Sequence, residues 1–226
     1  MKISKEKIKK CVTVTVLMGL IPLAVLLGVT AFRDRAYIWI ALCVCLLACV
    51  PFFLSFEKRQ SDTKRLMILA AMTAISVAGR ALFYPLAHFK PVAAAVIITG
   101  MYLGGEAGFM CGALSALLSN FIFGQGPWTP WQMFSYGLIG FLAGILFQKG
   151  ILKAKKIPLC IYGFLSVIFI FGGIMNPASI LMSYGRITWK SLIAFYISGI
   201  PVDLVQATST VFFLWILSRP LLEKLE

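Results

Sequence analysis

Apolar residues run along this chain in long blocks, and the blocks are separated by short clusters of charge, glycine and proline. A helix needs roughly 20 apolar residues to cross a hydrocarbon core of about 30 Å. Runs of that kind predict eight helical spans, at 11–32, 36–56, 66–85, 92–103, 107–123, 131–147, 157–176 and 191–217. The fourth is short and stops at Gly104-Gly105-Glu106, where Glu106 suits a helix start. The first follows a basic stretch (Lys2, Lys5, Lys7, Lys9, Lys10) but is long, contains Pro22 and lacks a small-x-small cleavage site before Arg33, so it reads as a retained helix. Polar residues 57–65 divide the chain into a two-helix extension with a cytoplasmic linker, 1–63, and a six-helix core, 64–226. The expected fold is all-α, a polytopic membrane helix bundle.

Composition agrees, with 60% hydrophobic and 13% charged residues, against roughly 45–50% and 25% in soluble domains. The excess of 21 Lys and Arg over 8 Asp and Glu gives a net charge of +13, which in a soluble chain would suggest nucleic acid. Here topology absorbs most of it. With both termini cytoplasmic, the inner loops hold all the bases except Arg33, Arg35, Arg80, Lys90, Arg186 and Lys190, as the positive-inside rule requires of a plasma-membrane protein. The six cysteines lie in or beside apolar runs with no CxxC pair, and read as packing residues rather than redox or metal ligands.

Candidate binding chemistry gathers at the outer end, in the core loops 84–91, 123–130 and 176–190. The middle loop and its flanks supply Asn120, Gln125, Trp128 and Trp131 among Gly124, Gly126, Pro127 and Pro130. Tryptophan at a membrane surface commonly forms an aromatic belt, but two indoles set among conformation-fixing residues could also stack on a planar ligand. If they do, Trp128→Ala weakens binding by about 1–3 kcal/mol. The first loop brings Arg80, Tyr84, Phe89 and Lys90 together as a cationic and aromatic rim, beside His88, the only histidine and by its position a surface residue. The third contributes Asn176 and Tyr184. Asp203 is an acid at membrane depth, two residues after Pro201 and three before Gln206. A carboxylate there needs a partner or water, and Pro201 suggests a broken helix beside a polar cavity. Ala70, Ala74 and Ala78 form a stripe at four-residue spacing that lets another helix approach, from within the bundle or from a separate subunit.

No Walker A phosphate loop, HExxH or GxSxG motif occurs, and one histidine cannot serve schemes that need two. ATP-driven work would therefore need a partner, and an enzyme is hard to build; no cofactor is implied. The core resembles the substrate-binding S components of energy-coupling factor (ECF) vitamin transporters, through its six helices, the alanine stripe, the stretch from Phe89-Lys90-Pro91 to Gly104-Gly105-Glu106-Ala107-Gly108, and Phe-Gly-Gln-Gly-Pro-Trp-Thr-Pro-Trp-Gln at 123–132. That last string is similar to the cobalamin-type subgroup. The resemblance implies capture of a vitamin from outside and delivery with a transmembrane scaffold and two ABC ATPases. It also implies that Ala70, Ala74 and Ala78 dock on the scaffold and that the outer loops close over substrate. Two features depart from it: the additional N-terminal helices, and Gln206 where related sequences favour histidine. Riboflavin or another micronutrient is the alternative substrate. A lipid-modifying enzyme using Asp203 as base and an assembly protein using the alanine stripe alone are the readings from other classes.

Overall fold

The computed structural model describes residues 63–225 and, before them, only Cys43, Leu46, Leu47, Cys49 and Val50. The two spans and the linker expected before residue 63 lie outside the described residues, those five positions apart. Six helical elements follow: α1 (Thr63–Leu82), α2 (Val92–Leu103), α3 (Gly105–Phe123), α4 (Thr129–Gln148), α5 (Lys156–Tyr184) and α6 (Trp189–Leu225). The chain is an all-helical polytopic bundle. All but α2 are long and apolar enough to cross a membrane, by length and composition.

The short helix organises the rest. α2 buries 11 of its 12 residues, as a helix that is apolar on every side must. Its C-terminal end stops at Gly104, whose φ of 99° is open to glycine and lets α3 start at the next residue. The freed carbonyls there accept from side chains, Leu103 O from the Arg65 guanidinium and Tyr102 O from Gln148 Nε2 at 3.3 Å. Because α2 rises about 18 Å and its antiparallel neighbour α3 about 28 Å from the same depth, the N-terminus of α2 ends about 10 Å short of the far end of α3. A hollow is left above Val92.

Glycine brings α2, α3 and α4 together. A β-carbon on Gly100 would strike the carbonyl of Gly140, one on Gly140 would strike the carbonyl of Gly108, and one on Gly144 would strike the backbone of Gly105. The three backbones are therefore in direct contact, as small residues permit between helices in lipid.

Two proline positions behave differently from expectation. The seventh span does not end at residue 176: it widens into a π turn over Val167–Gly172 and continues past Pro177 to Tyr184, so the third outer loop shrinks to 185–188. Pro177 lacks the N–H that would bond Gly173 O, and Tyr196 Oη of α6 donates to that carbonyl instead, at 3.1 Å. α6 likewise runs unbroken through Pro201 rather than splitting there. Cys49, Cys111 and Cys160 are buried free thiols and Cys43 is an exposed one.

Candidate functional site

The hollow above α2 is a cavity of about 260 Å³, at the end of the bundle that carries loops 83–91, 124–128 and 185–188. Val92 and Ala93 form its floor. Arg80 comes from the last turn of α1, His88 and Lys90 from the loop, Gln132 and Tyr136 from α4, Asn176 and Ser179 from α5, and Asp203 and Gln206 from α6. Phe171 and Met175 supply apolar wall. Of the residues singled out in the sequence, Arg80, Lys90, Asn176, Asp203 and Gln206, up to 126 positions apart, line this one space.

Each polar group is held. Asn176 Nδ2 donates to Asp203 Oδ2 at 3.0 Å. The pair lies between two glycines: a β-carbon on Gly172 would sit 2.6 Å from Asp203 Oδ2, and one on Gly199 2.6 Å from Asn176 Oδ1. Gln206 Nε2 donates to Tyr136 Oη at 3.0 Å, and the Tyr136 ring lies 4.7 Å from that of Phe171. Arg80 donates to Ser119 Oγ at 2.5 Å, and Ser119 passes the bond to Ser115 O at 2.6 Å.

The remaining candidates stand outside the cavity wall, for identifiable reasons. Tyr84 stacks on Phe123 at 4.7 Å, with Lys90 Nζ 5.8 Å from the Tyr84 ring and the Arg80 guanidinium 5.6 Å from the Phe123 ring. This aromatic pair thus steadies both cations. Phe89 packs on Phe212 and Phe213 of α6 at 5.6 and 5.5 Å. Asn120 is fully buried and donates to Thr129 Oγ1 at 3.0 Å and Gln132 Oε1 at 2.9 Å, which leaves the amide nitrogen of Gln132 for the cavity. Gln125 accepts from Thr129 Oγ1 at 2.8 Å. Trp128 folds its ring over Gly126, Trp131 is half-buried on α4, and exposed Tyr184 meets Phe195 edge-on at 5.8 Å. Ala70, Ala74 and Ala78 all lie on the exposed face of α1, opposite buried Leu69, Met72, Thr73 and Ser76.

Sequence reading missed Gln132, Tyr136 and Ser179, and gave His88 no part in a site. Gln132 was legible as a lone amide at the start of an apolar run, whereas Tyr136 and Ser179 carried no signal, because their role depends on which helix face meets the hollow.

Electrostatically the cavity is positive. Arg80, Lys90 and the uncapped N-terminus of α2, with no acid in its first turn, oppose one carboxylate, Asp203. Burial, then the Arg80 charge, pushes the Lys90 amine below its usual range. His88, the sole non-glycine with positive φ among the described residues, at 59°, is lowered by burial and by Lys90, with Asp203 opposing. Both causes disfavour the imidazolium. An NMR titration of this single histidine should give a midpoint below the ordinary ~6.5, rising in Lys90→Gln because the repelling charge is gone; an unchanged midpoint in that variant would remove Lys90 as a cause.

A family model described as ECF-type riboflavin transporter, S component, matches residues 60–225. No curated protein and no solved structure shows significant similarity to the chain.

Proposed function

Because the chain belongs to the family of ECF-type riboflavin transporter S components, we propose that its cavity captures riboflavin, or a vitamin with a similarly flat, carbonyl-rich ring, from outside the cell. S components are membrane subunits that bind the vitamin, while a transmembrane scaffold and ABC ATPases supply the work. The observation that carries the substrate reading is the hollow above the short α2, where cations, amides, hydroxyls and one carboxylate from five elements converge. Arg80, Lys90 and the amide of Gln132 suit ring carbonyls, Asp203 suits a ring N–H or a hydroxyl, and Phe171 with Tyr136 offers apolar surface. Size supports a flavin over the cobalamin suggested by the 123–132 string. A cavity of about 260 Å³ lies near the lower bound of the ~300–1,000 Å³ of small-molecule sites, and a corrinoid is several times bulkier than an isoalloxazine.

Calorimetric titration of the purified protein with riboflavin and with cobalamin tests this. Tight one-to-one riboflavin binding with quenched flavin fluorescence is expected; cobalamin binding without riboflavin binding would overturn it. The orientation in this reading puts the cavity outside and the C-terminus in the cytoplasm, supported by Lys149, Lys153, Lys155 and Lys156 at the opposite end.

The exposed alanine stripe supports scaffold docking. Ala74→Leu should leave vitamin binding unchanged but abolish ATP-dependent uptake in cells expressing the scaffold and ATPases. Equal loss of binding and uptake would sink the docking role.

A further inference from the structure

At the end of the bundle opposite the vitamin cavity, a second hollow of about 550 Å³ opens between the start of α5 and the last turns of α6. Among the described residues its wall holds Lys155 and Lys156 and no acid, and its floor is Met101, Leu159 and Trp215. Lys156 Nζ stands 4.9 Å from the centre of the Trp215 ring, so its ammonium is kept at the wall instead of extending into water. α5 begins here with no side-chain cap and no acid in its first turn, which leaves the positive end of its dipole facing the space. Ser218 is also in the wall: it is 2% exposed, and its Oγ has no hydrogen-bond partner among the described residues. A buried hydroxyl in that state costs about 1–3 kcal/mol unless something fills its need.

Cations, a helix N-terminus and an unsatisfied hydroxyl around one space are the chemistry that binds a phosphate. The surroundings identify which phosphate. Ile157, Ile161 and Leu165 lie at four-residue spacing on the exposed face of α5, and Phe212, Trp215 and Ile216 are exposed on α6. An apolar track thus leads from the hollow along the membrane-crossing part of both helices. We infer that this hollow is a headgroup site for one anionic phospholipid, its phosphate held by Lys155, Lys156 and Ser218 and an acyl chain lying along the α5–α6 track. The bases that set the topology would then also bind a lipid at a defined place, next to the helix pair that forms the far wall of the vitamin cavity.

The test uses the full chain in detergent, with phosphatidylglycerol and phosphatidylcholine of identical acyl chains as probes and native mass spectrometry as readout. One retained phosphatidylglycerol per chain is expected, preferred about tenfold over phosphatidylcholine. Lys155→Gln/Lys156→Gln should bring the preference below about twofold, and Ser218→Ala should lower it several-fold. Lys149→Gln/Lys153→Gln, at the same end but outside the wall, should leave it unchanged. Vitamin titration of each variant reports whether the fold is intact. A preference that survives both Lys155→Gln/Lys156→Gln and Ser218→Ala overturns the site. Equal loss in Lys149→Gln/Lys153→Gln overturns it in favour of diffuse surface attraction. Displacement of the lipid by millimolar inorganic phosphate, with no dependence on acyl chains, overturns the lipid as occupant and leaves a soluble phosphate in its place.

Discussion

Gly140→Leu is expected to abolish the folded bundle, with no monodisperse protein recovered from membranes. The reason is where Gly140 sits. Its own carbonyl fills the place a Gly100 side chain would take, and its missing side chain leaves room for the carbonyl of Gly108 and for Val96 Cγ1, 2.7 Å from the absent β-carbon. An added leucine meets the Gly108 backbone of α3 as well as the Val96 side chain of α2, and backbone cannot rotate away as a side chain can. Overpacking in an ordinary core costs about 1–3 kcal/mol; here α2, α3 and α4 must separate, and the cost should exceed about 4 kcal/mol. Gly173→Ala is the control. That glycine has nothing within 4 Å of its would-be β-carbon, so thermal unfolding should shift by no more than about 1 kcal/mol. If Gly140→Leu purified with an unchanged melting temperature, the three-helix backbone contact would be wrong. The consequence would reach the cavity too, because its floor is the end of α2.

Asp203→Ala should raise the Kd for the vitamin by about 10- to 100-fold, the ~1.5–3 kcal/mol carried by hydrogen bonds to a charged group. Among the described residues Asp203 is the only carboxylate in the wall, against Arg80 and Lys90. Its loss removes a ligand acceptor, leaves Asn176 Nδ2 without the partner it now has at 3.0 Å, and makes the cavity more positive. Asp203→Asn keeps the shape and loses the charge, so an intermediate Kd is expected. Calorimetry on both variants, with the melting temperature measured in parallel, separates lost binding from lost fold. Equal affinity in the parent and both variants would show that the carboxylate does not face the ligand. Gly172→Ala offers an independent check, since its methyl would press on Asp203 Oδ2 and should weaken binding without touching any cavity charge.

Much of this fold is legible in the chain because lipid makes burial a matter of length. Spans at 92–103, 107–123 and 131–147 agree with α2, α3 and α4 to within two residues at either end, since turn-forming glycine and proline mark each boundary. The span predicted to end at 176 failed for a reason sequence does not carry. A proline inside a helix is tolerated when another helix satisfies the carbonyl it frees, and Tyr196 belongs to the next helix. The same limit explains the site. Asp203 was recognisable as an acid that hydrocarbon would not tolerate idly, with Gln206 one turn on, and Arg80, Lys90 and Asn176 as polar residues at the ends of apolar runs. Trp128 and Trp131 were equally conspicuous, yet an indole can serve by covering Gly126 or by packing against helix as readily as by facing a ligand, and only neighbours decide which.

The sequence by itself determined a helical membrane bundle and the end of it where polar chemistry collects, because apolar length and charge placement are properties of single segments read against a slab of fixed thickness. Only the tertiary structure decided that a 12-residue helix stops short of its neighbours and leaves a hollow, and which side chains turn into it. That outcome depends on the rotation of each helix about its axis, fixed here by glycine-to-glycine contact among α2, α3 and α4, and rotation is a relation between helices that no single segment encodes.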